Sequence, residues 1–199
     1  MTLKLSKYLS IGSTMLLLSV PSFAQQPHQA IIDVAYGQGS DPEVTGERYT
    51  LKLPVRKGLF VVVSKTNFAG DQASEDDYKT KEVGGGFFWS TTETNSMYLS
   101  YTKVDLEFNT LKIKDNTQYA IGWRSRFSRQ LEILAEYNST NLDNADLTGT
   151  DYEGAKLEEA GYKLGLHYYT SPTFAVTLDW DNWLDQDRLF LGVRFTSGK

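Results

Sequence analysis

Ten times along this chain, apolar and polar residues alternate with a period of two. That spacing places apolar side chains on one face of an extended strand and polar ones on the other. The first run is Gln29–Gln38, with Ile32, Val34 and Tyr36 against Asp33, Ala35 and Gly37. The second is Glu47–Arg56, with Tyr49, Leu51, Leu53 and Val55 against Arg48, Thr50, Lys52 and Pro54. The third, Leu59–Phe68, is apolar on parts of both faces, which leaves its orientation open. The others are Glu82–Trp89, Ser96–Val104, Thr117–Phe127, Leu131–Ser139, Glu159–Tyr169, Phe174–Asn182 and Arg188–Phe195. This predicts an all-β, antiparallel up-and-down barrel of ten strands, or eight if the third and fourth runs fail.

The connections support closure. Short ones follow the second, fourth, sixth and eighth runs, and longer ones follow the first, third, fifth and seventh, although the last, Trp183–Asp187, is short. Tight turns at one end and long loops at the other are the asymmetry of membrane-spanning barrels. With the strands so oriented, Tyr36, Tyr49, Tyr101, Tyr119, Tyr137, Tyr162 and Trp180 lie on the apolar face near the long-loop end. Trp89, Phe127, Tyr168, Phe174 and Phe195 lie on the same face at the other end. Two aromatic girdles around an aliphatic band are expected where an outer wall meets lipid, since Tyr and Trp favour the membrane interface. The competing readings are a soluble sandwich with these aromatics in its core, and a soluble barrel enclosing an apolar ligand.

The N-terminus reads as an export signal. Lys4 and Lys7 precede an apolar stretch from Tyr8 to Val20, Pro21 breaks it, and Ser22-Phe23-Ala24 offers small residues at the cleavage positions. Residues 1–24 are therefore expected to be removed, leaving 25–199 as one domain. The apolar stretch is shorter than a spanning helix requires, and no later segment is long and apolar enough for one. The chain has no cysteine, so an exported domain of this size draws its stability from packing, a metal or a membrane. Its formal net charge is −5, and −7 once Lys4 and Lys7 are removed, which argues against nucleic acid. Overall polarity with 13% aromatic residues fits a wall in which only every second residue meets lipid.

On these features, from signal through alternating strands to the last strand, the chain resembles the small outer-membrane β-barrel proteins of Gram-negative bacteria, the porin-like families of eight to ten strands. The final segment Leu189-Phe190-Leu191-Gly192-Val193-Arg194-Phe195 looks like the assembly signal of that family, although Thr196-Ser197-Gly198-Lys199 follows the aromatic that usually ends it. The resemblance implies an outer-membrane location, contact with lipid and lipopolysaccharide, and insertion by the barrel-assembly machinery. It implies no specific activity.

The polar faces suggest how the barrel is filled. Arg48, Lys52, Arg124, Arg126, Lys163, Arg188 and Arg194 are expected inward, as are Asp33, Glu132, Glu136, Asp179 and Asp181. Hairpin register sets Arg126 opposite Glu132 and Lys163 opposite Asp179. A ten-stranded lumen is narrow, and buried charges need partners, so a salt-bridged plug is expected. His167 with Asp179 and Asp181 is the one acid–base candidate. The same register places His167 across from Ala175, away from Asp181, with no serine beside it, so no catalytic set is expected. Gly84-Gly85-Gly86 lies in a strand and lacks the Lys-Ser/Thr ending of a phosphate loop; it is expected to relieve crowding where the wall bends. Asp71, Glu75, Asp76 and Asp77 form one acidic loop; Asp143, Asp146, Asp151, Glu153 and Glu158 form another. Such runs are usually solvated, though carboxylates also hold divalent cations against lipopolysaccharide. No spacing matches an EF-hand or zinc site, and neither a cofactor nor an oligomer is expected. Three roles compete: a surface-interaction barrel acting through its acidic loops, a narrow solute channel, and a barrel enzyme. The first is favoured.

Overall fold

The computed structural model describes residues 29–40, 43–56, 58–70, 77–108, 111–141, 158–183 and 186–197. The export signal, and both acidic loops apart from Asp77 and Glu158, lie outside these residues. Ten strands form: β1 Ile31–Ser40, β2 Glu43–Arg56, β3 Leu59–Gly70, β4 Tyr78–Ser90, β5 Asn95–Phe108, β6 Leu111–Arg126, β7 Leu131–Asn141, β8 Glu158–Ser171, β9 Phe174–Trp183 and β10 Gln186–Thr196. Each pairs antiparallel with its neighbours in sequence, and β1 closes onto β10 from Ile31↔Thr196 to Gly39↔Arg188. Closure removes both sheet edges, so the ladder has no row of unpaired backbone donors and acceptors there. Ten strands form, not eight.

The strands outrun the alternation at the long-loop end. β2 begins four residues before the expected Glu47 and β6 six before Thr117, while β5 continues to Phe108. Residues 41–42 alone separate β1 from β2, and 109–110 alone separate β5 from β6. The long loops expected after the first and fifth strands are therefore largely strand. The reason is physical: apolar–polar alternation reports the greasy band, whereas backbone pairing continues beyond it. On β4 the extension Lys79, Thr80 and Lys81 is polar on both faces.

The orientation of β3 is now defined. Leu59, Val61 and Val63 point outward, while Phe60 turns inward to pack with Phe88, Tyr98 and Leu134. Around the whole wall the aliphatic residues face out: Leu51, Ile121, Leu164 and Leu191 are exposed, the last two by 52% and 56%. A continuous apolar outer belt of this kind excludes the soluble barrel with a greasy interior, because water would meet the wrong face. The wall is shaped by a few local devices. Pro54, which cannot donate to the ladder, stands beside a register shift between β2 and β3. Gly58 turns the chain with φ +81°. At Gly84 and Gly86 an added Cβ would lie 2.1 Å from Tyr101 O and Leu99 O respectively, so the glycine run marks close approach of β4 and β5.

Candidate functional site

Among the described residues polar chemistry converges in the lumen, and it is layered. At the long-loop end, inward residues at and beyond the expected strand ends build an apolar stopper: Val44, Phe68, Tyr78, Val104, Leu106, Ile113 and Trp183. Val44 and Val104 are 0% exposed. Phe68 stacks on Tyr78 at 4.9 Å and meets Phe190 edge-on at 5.6 Å. Polar tips are satisfied: Trp183 Nε1 donates to Thr140 Oγ1 at 3.1 Å, and Tyr78 Oη donates to Gln186. Sequence reading missed this layer. The signal was present, since Val104 and Leu106 share the inward parity of Tyr98, Ser100 and Thr102.

Below the stopper lies a charged layer. Arg48 donates to Asp181 at 2.9 Å and also to Asp179, and its guanidinium stacks on Phe190 at 3.9 Å. Phe190 itself covers Gly37, where a Cβ would come within 2.4 Å of the ring. Arg188 Nε donates to Asp181 Oδ1 at 2.5 Å. Lys163 faces Asp181 in register, two residues from the expected Asp179, yet its Nζ reaches Asp179 diagonally at 3.4 Å. The register differs because the β8–β9 turn falls at Pro172-Thr173, with Ser171 opposite Phe174, and the ladder then shifts by one residue before Tyr169.

The third layer centres on Glu132, which is 1% exposed. Arg194 donates to it at 3.3 Å while gripping Asp33 with two bonds of 2.6 and 2.8 Å. Arg124 Nε lies 3.4 Å from Glu132 Oε1 and Arg126 Nη2 3.7 Å from Oε2. Arg126 and Glu132 are direct cross-strand partners, at the register expected from sequence. The corrected register also moves His167. It pairs with Thr177, not Ala175, and its fully buried ring bridges Glu132 (Nδ1, 3.0 Å) and Asp179 (Nε2, 3.1 Å). Of the two carboxylates grouped with His167 in the sequence, Asp179 is therefore in contact with it, while Asp181 bonds Arg48 and Arg188 instead. Arg194 Nη1 also approaches His167 Nδ1 at 3.0 Å, so both ring nitrogens are occupied by protein groups.

The remaining lumen residues frame a cavity of about 150 Å³. Hydroxyls and amides of Thr50, Ser64, Thr102 and Gln118 form one wall, and Arg48, Lys163, Asp181 and Arg188 face them. Glu136 accepts from Tyr98 Oη, whose ring crosses Gly122, where a Cβ would lie 2.1 Å from it. Lys52 stands at the lower end with Nζ 3.7 Å from the Phe60 ring centre and 4.2 Å from that of Tyr98. It also lines a separate void of about 30 Å³ toward the short-turn end.

On the outer wall the expected girdle residues stand as follows. Tyr36, Tyr49, Tyr101, Tyr119, Tyr137 and Tyr162 are exposed and Trp180 is half-buried. Tyr101 meets Tyr119 at 5.2 Å and Tyr137 meets Tyr162 at 5.4 Å. At the other end Phe174 meets Phe195 at 5.2 Å.

No protein-family model matches the chain, and no curated protein sequence matches it. Among solved structures, it is similar to the NanC porin, with 10% identity, 82% of this chain and 98% of that chain covered, and a TM-score of 0.55. It is similar also to an outer membrane channel from Pseudomonas putida, with 10% identity, coverage of 90% and 100%, and a TM-score of 0.52. At such identity the likeness is one of fold. The chain has the fold of the outer-membrane, porin-like transmembrane β-barrels.

Proposed function

We propose that this protein resides in the outer membrane as a sealed barrel and acts at its surface, not through an open pore. The occluded lumen is the observation that carries this reading. Ion-paired side chains cross the middle, and above them an apolar layer buries Val44 and Val104 completely. An ion crossing that layer would shed its hydration against mostly apolar side chains, whose few polar tips are already hydrogen-bonded to one another. The acidic loops remain the proposed contact surface, facing the outside with divalent cations and lipopolysaccharide as partners. The chemistry of His167 supports no enzyme reading: a general base must reach a substrate proton, and here both nitrogens face buried protein groups.

The test is conductance of the folded protein in planar bilayers. No steady current is expected; stable ion-selective steps would overturn the reading. A narrow channel is the second reading, favoured by one observation. Among the described residues Lys52 and Glu82 both line the central cavity, and neither makes an ion pair. Unpaired charges of opposite sign around a void suit a small polar solute.

A further inference from the structure

Charges inside the barrel do not balance, and the surplus sits at one residue. Among the described inward residues of the upper charged layer, Arg48, Lys163 and Arg188 stand against Asp179, Asp181 and Glu82, charge for charge. Lower down, Arg124, Arg126, Arg194 and Lys52 stand against only Asp33, Glu132 and Glu136. His167 adds no negative charge in either protonation state. Arg194 holds Asp33 and shares Glu132 with Arg124 and Arg126. Glu136 accepts from Tyr98 Oη and makes no ion pair with Lys52. Lys52 is the cation left over. Protein surrounds it, so the surface it keeps faces the two voids it lines. Its ammonium rests 3.7 Å from the Phe60 ring centre and 4.2 Å from that of Tyr98. Aromatic faces attract a cation but do not neutralise it.

Two more polar groups lack partners at the same place. The void of about 30 Å³ on the short-turn side of Lys52 is also lined by Arg124, Gln29 and Ser96. Arg124 Nε lies 3.4 Å from Glu132 Oε1 without forming a hydrogen bond, and Gln29 Oε1 has no partner either. Buried polar atoms are nearly always paired, so two orphans beside one small void mark an occupant. No carboxylate lines this void; Glu136 lines the larger one. Its two charged lining residues are both cations. Ser96, the cross-strand partner of Arg124, adds a hydroxyl, and the Gln29 amide can turn to present its NH₂. Water would satisfy the amide but leave the charge standing. An anion accepts from every one of these donors. A void of this size holds about two water-sized bodies, which suits a halide and is too small for a tetrahedral oxyanion.

We propose that this void binds one monovalent anion of halide size, held by Lys52 Nζ and Arg124 Nε with Ser96 and Gln29 around it. The bound anion completes the neutralisation of the lumen. The site stands on the fold alone and not on what the loops contact. A ligand bound only by the folded state raises the unfolding midpoint with its concentration. The test therefore follows the urea midpoint of the folded barrel in sodium chloride and in sodium gluconate at equal ionic strength, gluconate being too large for the void. In wild type the midpoint should rise with chloride and not with gluconate. K52M should lose that difference. K163Q, which removes a lumen cation away from the void, should keep it. Crystals of wild type soaked in sodium bromide should show an anomalous peak between Lys52 and Arg124. Equal midpoints in the two salts for wild type, a chloride response surviving in K52M or lost in K163Q, or no bromide peak in the void would overturn the proposal. A bromide peak without chloride-linked stability would be an adventitious ion only, and would overturn it as well. Heat-dependent gel mobility checks that each variant is folded; if K52M does not fold, wild type, K163Q and the bromide peak decide.

Discussion

Single residues in this barrel differ mainly in how many partners depend on them. Glu132 serves Arg124, Arg126, Arg194 and His167 at once. Removing its charge leaves three guanidiniums in a narrow lumen with one anion fewer, and breaking a buried ion pair costs about 3–5 kcal/mol. Glu132→Gln should therefore lower the urea midpoint of the vesicle-folded barrel strongly. Lys163→Leu should cost clearly less, because Asp179 keeps Arg48 and His167. Equal losses for the two would contradict the hub role of Glu132. On the outer face the decisive partner is lipid. Leu164 is 52% exposed at mid-wall, and an arginine there should cost about 2–4 kcal/mol in a bilayer. Insensitivity of folding into vesicles to Leu164→Arg would mean that the belt does not face hydrocarbon.

At the scale of elements, turns and bulges decide which residues meet. The β2–β3 turn depends on Gly58, whose φ of +81° suits only glycine without strain; a Cβ there would lie 2.4 Å from the Phe87 ring. Gly58→Ala should cost about 1–2 kcal/mol from the left-handed backbone alone, readable as a shifted denaturation midpoint. The shift between Tyr169 and Ser171 has a larger consequence. It moves the ladder by one residue, from Ser171↔Phe174 to Tyr169↔Ala175, and so sets His167 opposite Thr177 with Asp179 at the next inward position. Gly122 shows the same dependence within β6. Gly122→Val would push the Tyr98 ring off its seat and break its bond to Glu136. A loss of about 1–3 kcal/mol is expected, as for other overpacked sites. A variant as stable as wild type would show that this bridge contributes nothing.

For the whole molecule the question is what keeps the lumen shut. The charged layers alone leave a cavity of about 150 Å³, so the apolar stopper above them is the tighter seal. Replacing Phe68 and Trp183 together by alanine should open the long-loop end and produce bilayer currents where wild type is silent. Phe60→Ala, which loosens only the opposite end, should remain silent. Currents from Phe60→Ala alone would place the seal at Lys52 and its two aromatic rings instead.

Strand number, strand order and the facing of the outer wall were legible in the sequence because a period of two admits no other partition of Leu51, Ile121, Leu164 or Leu191 once the wall is closed. The inward parity of Arg48, Glu132 and Asp181 followed from the same rule. Three things were not legible. The β4 extension carries polar residues on both faces, so its hydropathy has no period to read. The stopper was not recognised because Val44, Tyr78, Leu106, Ile113 and Trp183 lie beyond the expected strands, although Phe68 and Val104 end two of them. The meeting of His167 with Asp179 depends on where the β8–β9 turn falls and on a one-residue shift beside it, neither of which alternation reports. Alternation is a property of neighbouring residues and survives in one dimension. Contacts across a lumen join residues such as Arg48 and Asp179 from strands that are not neighbours, so only the closed barrel, with its stagger and bulges, decides them.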